Sequence, residues 1–177
     1  RRQRQMCIRD RNMYIDKNQA KIQEAQDKQN LHYQLLDFIK EQNFHFSACL
    51  YCDALLDQYD VLRASSGFFL AEDGSYSGAV EQIVDEYAAS ATRKTMREAL
   101  QLSTLSAALS AEHPKQELEL DFETDGVTQR GRLTLLFCDA DLHGRLHHFL
   151  VGFEWVLNAK KNQAANTSMP STTCLLY

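Results

Sequence analysis

Lys115–Val156 reads KQELELDFETDGVTQRGRLTLLFCDADLHGRLHHFLVGFEWV, and this stretch decides the fold class. Glu117, Glu119, Asp121 and Glu123 alternate with Leu118, Leu120 and Phe122, the two-residue period of a half-buried strand. Asp125-Gly126 is a two-residue hairpin turn signal. Closing the hairpin there sets Asp121 against Arg130, Glu119 against Arg132 and Leu118 against Leu133, so opposite charges and apolar pairs fix one register. The returning strand is expected to end near Phe137. Asp139–Gly144 turns the chain, and Arg145–Val156 forms a third strand. On that strand Phe149, Val151, Phe153 and Trp155 share one face, and Leu146, Leu150 and Gly152 the other. A strand apolar on both faces is covered on both.

Upstream, Phe44, Phe46, Ala48, Leu50 and Cys52 alternate with more polar positions, and Tyr59–Arg63 reads as a second strand, giving a hairpin. Ser65–Ser77 is expected to be a loop. Ala79–Leu109 is helical: Val80, Ile83, Val84 and Tyr87 fall on one face, with Thr92 and Ser103 as caps of two further helices. One cover of the sheet is therefore this helical block. The other is expected to be the helix at 17–42, within the Gly-free and Pro-free stretch Asp16–Asn43, or a partner chain. A heptad frame through Ile22, Ala25, Gln29, His32, Leu36 and Ile39 is apolar at four of six positions, a short coiled-coil pattern.

Both ends read as foreign to the gene. As codons, Arg1–Asp10 is CGT CGG CAG CGT CAG ATG TGT ATA AGA GAC, one frame of a transposase sequencing adapter, and Arg11 continues it. Cys174–Tyr177, as TGT CTC TTA TAC, lies in the reverse complement of the same adapter. Residues 1–11 and 174–177 are therefore set aside as adapter-derived. This leaves a linker helix (12–43), an α+β domain (44–157) and an outgoing linker (158–173). Of the 19 basic and 24 acidic residues, five arginines and one aspartate lie in Arg1–Arg11; setting them aside leaves 14 and 23, a net charge of −9. An acidic segment with scattered Lys and Arg offers no phosphate-binding footprint, so no nucleic-acid partner is expected.

With 177 residues, 44% of them hydrophobic, the chain supports one domain with a real core. No stretch reaches the roughly 18 apolar residues of a membrane span. Cys49, Cys52 and Cys138, an odd and sparse set, fit a reducing compartment, and a cytoplasmic location is expected, with any membrane contact made by parts of the parent protein outside this chain.

The order helix, two strands, short helices, three strands resembles the divergent PAS-type sensor domains that precede histidine kinase or diguanylate cyclase output domains in bacterial signalling proteins. The resemblance covers Phe44–Val156. It is carried by Ala48–Arg63 (ACLYCDALLDQYDVLR), with Tyr59 and Arg63 in a Tyr-x-x-x-Arg strand, and by Thr92–Leu109 (TRKTMREALQLSTLSAAL). Asp125-Gly126 and Phe149–Trp155 (FLVGFEW) complete it, with Glu154-Trp155 where the family commonly has Asp-Ile. The resemblance implies an α+β fold, a five-stranded antiparallel sheet flanked by helices and preceded by an amphipathic linker helix. It also implies a sensory and dimerisation role without catalysis, and an interior cavity for a small ligand.

Cys49-x-x-Cys52 does not suit a metal, because strand positions three apart face opposite sides. Cys138, Asp139, Asp141, His143, His147 and His148 crowd one hairpin, but His147 and His148 are expected on opposite faces, so no metal site is expected. His148, Leu146 and Leu150 are the candidate ligand-cavity residues, with no cofactor indicated. Leu36 and Ile39 on the helix, and Phe149, Val151, Phe153 and Trp155 on the sheet, are the candidate interface of a homodimer or of the helical cover. No nucleophile elbow, phosphate loop or dinucleotide fingerprint is present. A small-ligand-binding or enzymatic α+β domain and a purely structural linker domain are the alternative readings.

Overall fold

The computed structural model describes residues 2–155. The outgoing linker expected at 158–173 and the tail at 174–177 lie outside the described residues. Two units are distinct, one ending at His45 and the other beginning at Phe46.

The first unit is α1 (Arg2–Glu41), 40 residues of uninterrupted helix that continues across the expected boundary between residues 11 and 12. At about 1.5 Å per residue it is about 60 Å long. Asn43 ends it in the left-handed region (φ 56°), where the Phe44 N–H donates to the Ile39 carbonyl at 3.1 Å and satisfies a terminal helix acceptor.

The second unit is α+β. Its strands are β1 (Ala48–Asp53), β2 (Gln58–Ala64), β3 (Asp73–Ser75), β4 (Lys115–Thr124), β5 (Val127–Ala140) and β6 (Leu146–Trp155). Its helices are α2 (Tyr76–Tyr87), α3 (Arg93–Leu100) and α4 (Leu102–Ala108). All pairings are antiparallel, in the order β3-β2-β1-β6-β5-β4. The sheet thus has six strands, not five. The sixth, β3, lies inside the segment expected to be a loop, and pairs through Asp60 with Asp73 and Gln58 with Ser75. Three polar residues at an edge carry no apolar alternation that a sequence reading would register.

The β4–β5 hairpin has the expected register: Asp121 faces Arg130, Glu119 faces Arg132 and Leu118 faces Leu133. Asp125 and Gly126 both take positive φ (54° and 72°), the conformation a two-residue hairpin turn requires. The charges pair diagonally as well as directly. Arg130 reaches Asp121 at 3.1 Å and Glu119 at 3.5 Å, while Arg132 turns toward Glu154 of β6 at 4.0 Å. Arg130, Arg132 and Glu119 are exposed and Asp121 and Glu154 half-buried, so each pair is worth at most about 1 kcal/mol and serves mainly register. β5 runs on past Phe137 to Ala140.

Helices α2–α4 and one sheet face enclose the core. Tyr76, Val80, Ile83, Val84 and Tyr87 of α2, and Met96, Leu100 and Leu105 beyond it, join Leu50, Leu133, Leu135, Val151 and Phe153 in one buried cluster. Within it Phe68, Tyr87, Phe122, Phe153 and Trp155 form an aromatic stack with neighbouring ring centroids 5.1–6.4 Å apart. α2 is capped by Ser75, whose Oγ accepts from the Gly78 N–H at 3.2 Å. Thr92 precedes α3 as expected but does not cap it with its side chain. Its hydroxyl donates to the Asp121 carbonyl at 2.6 Å, tying α3 to β4. The opposite face of β6 is also buried: Leu150 is 1% exposed, and the ring of Phe46 occupies the space over Gly152.

Candidate functional site

Asp53, His148 and Asp139 form a row across three adjacent strands. Asp53 ends β1 directly opposite His148 of β6, and His148 in turn faces Asp139 of β5. Two register shifts in succession flank this point. From the Phe137–Phe149 pair to Asp139–His148, β5 spends one extra residue, Cys138; from there to Ala140–Leu146, β6 spends one extra residue, His147. Such bulges re-aim side chains. Here they bring His147 onto the same side as His148, with ring centroids 3.7 Å apart. The expectation that the two histidines face opposite sides is therefore corrected: strict alternation fails at the bulge.

The same shift divides the candidate cavity residues. Leu146 is buried in the core shared with the helices, whereas His148 faces Asp53, Asp139 and the ring of Tyr51, which stacks on it at 5.1 Å and 13°. Leu150 is buried outside that core cluster. The three do not line one cavity. Phe149, Val151, Phe153 and Trp155 do share a face, and it is the helix-facing one: all four lie in the core cluster, and Tyr76 meets Phe149 edge-on at 5.2 Å. Their own helices cover them, the helix-facing one of the two expected roles. On α1, Ile39 is buried and Leu36 half-buried.

Each site group is positioned by backbone. Asp53 Oδ1 accepts from the N–H groups of Leu55 and Leu56, both at 2.9 Å, which leaves Oδ2 for the histidines. Oδ2 lies 3.5 Å from His147 Nε2 and 3.5 Å from His148 Nε2. Asp139 Oδ1 accepts from the His148 backbone N–H at 3.0 Å and stands 2.9 Å from His148 Nδ1. A carboxylate has no hydrogen to give, so Nδ1–H donates to it and a neutral His148 carries its lone pair on Nε2. A surface depression of about 130 Å³, lined by Tyr51, Asp53, Gln58, Tyr59, Asp60 and His148, opens beside this cluster.

The remaining residues of the hairpin are not part of it. Asp141 closes its own turn: it accepts from the backbone N–H groups of His143 and Arg145 at 2.9 Å and pairs with the Arg145 guanidinium at 2.6 Å. These contacts, the Arg145 N–H foremost, hold its carboxyl down at about 2. Burial pushes the Cys138 thiol up to about 12, and those of Cys49 and Cys52 upward as well. Thiols so placed stay protonated at neutral pH and are poor nucleophiles. Cys49 and Cys52 pair with Gly152 and Phe149, so they face opposite sides of the sheet as their spacing implies. A second depression, of about 170 Å³, lies on the helical side between Tyr76, Val80, Arg97 and Leu100.

No protein-family model, curated protein or solved structure matches this chain. The arrangement of its own side chains is therefore the basis for its chemistry. Two imidazoles and one carboxylate converge, with a second carboxylate, Asp139, 2.9 Å from His148 Nδ1 and 3.6 Å from His147 Nδ1. No helix among the described residues is long and apolar enough to cross a membrane.

Proposed function

We propose that the chain is a PAS-like sensory and dimerisation module of a multidomain bacterial signalling protein. It relays the state of a ligand or partner to an output domain of the histidine kinase or diguanylate cyclase type, and it performs no catalysis itself. The supporting observation is where the chain enters and leaves the sheet. β1 begins at Ala48 opposite Phe153, two residues before β6 ends. The Ser47 N–H donates to the Phe153 carbonyl at 2.7 Å, and the Ser47 hydroxyl donates to the Trp155 carbonyl at 3.0 Å. The first end of β1 and the last end of β6 are thus stitched side by side on two central strands. A change in how β1 and β6 pack is felt by both at once. A shift between two such packings needs only a few kcal/mol of differential interaction.

In this reading the dimer forms through α1. In proteins most helical stability comes from packing an apolar face, and α1 leaves Ile15 and Ile22, seven residues apart on one side, exposed. Sedimentation equilibrium of the whole chain over a hundredfold concentration range tests this. A reversible dimer is expected, and Ile22→Asp is expected to weaken it at least about tenfold, since a buried unpaired carboxylate at a seam is costly. A strict monomer at every concentration would remove the dimer, and an unaltered dimer in Ile22→Asp would move it off this face.

A further inference from the structure

We propose that Asp53, His147 and His148 bind a divalent transition-metal ion of the zinc type, with Asp139 as the positioning residue behind His148. The proposal does not depend on the sensory reading, because it follows from the donor set and its spacing. One ligand atom from each of the three residues lies within 4.8 Å of the other two. Two ligands bound at about 2.0–2.1 Å to a tetrahedral centre are about 3.3–3.4 Å apart. The two Asp53–histidine separations are both 3.5 Å. That distance is long for an N–H···O hydrogen bond, which runs about 2.7–3.2 Å, and close to the edge of a coordination tetrahedron.

The surroundings agree. His148 Nδ1 is held by Asp139, the carboxylate–histidine arrangement that fixes tautomer and ring orientation at metal sites and raises ligand basicity. Tyr51 stacks on His148 and restrains its ring. Asp53 is anchored by two backbone N–H groups through its other oxygen. The side chains of Asp53, His148 and His147 keep 16%, 20% and 33% of their surface, so a fourth position stays open to water or a small anion. Imidazole and carboxylate without thiolate suit zinc and its neighbours over calcium or magnesium. An ion there would join the turn after β1 to the bulge of β6, with Asp139 linking β5 behind it.

The test is a zinc titration of the whole chain, stripped with a chelator and read by competition with a chromophoric chelator. One zinc per chain is expected, and zinc at a hundredfold excess over Kd should raise Tm by about 5–10 °C. His147→Ala and His148→Ala are each expected to abolish stoichiometric binding. Asp139→Asn keeps all three ligands and is expected to weaken binding about 10–100-fold. His113→Ala, in the loop before β4, should leave affinity unchanged. Circular dichroism of the metal-free variants checks folding. Should His148→Ala fail to fold, His147→Ala, at the most exposed ligand, and cobalt substitution carry the decision. Cobalt is expected to give the visible bands of a nitrogen and oxygen site. A thiolate-to-cobalt charge-transfer band, binding that survives loss of a ligand histidine, or no binding at micromolar zinc would each overturn the proposal.

Discussion

Phe153→Ala is expected to lower folding stability by about 3–5 kcal/mol, the range for truncating a fully buried aromatic side chain. Phe153 has no exposed surface, and its ring lies among Phe68, Phe122 and Trp155 at centroid separations of 6.0–6.4 Å. Its cross-strand neighbours Ala48 and Leu133 are equally buried. The rings around the gap are fixed by neighbours on both sides, so the cavity cannot close fully, and the transfer and cavity costs add. For a chain of this size the Tm should fall by about 6–20 °C. Thermal and urea unfolding of the two proteins provide the measurement. The same experiment separates two roles for this face. A partner-facing Phe153 would lose association and keep its monomer stability; the helix-covered Phe153 seen here loses stability first. A change below about 1 kcal/mol would contradict the packing.

The second large effect is expected at Gly152. This residue sits in β6 between Cys49 of β1 and Thr134 of β5, both fully buried. A Cβ built there would come within 3.0 Å of three ring atoms of Phe46, itself 1% exposed. Glycine is required by this close approach, not by backbone conformation. Gly152→Val forces the Phe46 ring or the strand to move, and overpacking of this kind costs about 1–3 kcal/mol. The effect should appear in chemical denaturation as a lower midpoint with an unchanged slope. Double substitution with Phe46→Leu should return part of the loss, because the clash is with that ring. A Gly152→Val protein as stable as the parent would mean that Phe46 does not cover β6.

The sequence made the hairpin at Asp125-Gly126 legible down to single pairs, because alternation, turn chemistry and opposite charges at facing positions all specify one register. The cover on both faces of β6 was legible for a related reason: apolar residues at both 149 and 150 cannot both face water. β3 was not legible, since Asp73–Ser75 forms a strand only because β2 offers it an edge. The site itself was half legible. Its residues were visible as a cluster, but strict two-residue alternation placed His147 and His148 apart. The signal that alternation breaks was present in Leu146 and Phe149, two apolar residues three positions apart that both join the core. Only an extra residue between them allows that, and His147 is that residue. Asp53 was missed altogether. It is about 95 residues from the histidines in sequence, and nothing local marks which strand ends beside them.

The proposed relay and the proposed metal site share the β1–β6 pair. The stitched ends at Ser47 and Phe153 and the Asp53–His148 pair lie at opposite ends of it, about 17 Å apart at 3.3–3.4 Å per residue. Cross-strand backbone nuclear Overhauser contacts in the isotope-labelled chain test this arrangement most directly. Contacts are expected from Val151 to Leu50 on one side and to Leu135 on the other, with Asp139 and Asp53 both facing His148. A β6 that contacts only one neighbour, or a His148 that meets neither carboxylate, would contradict both the relay and the site.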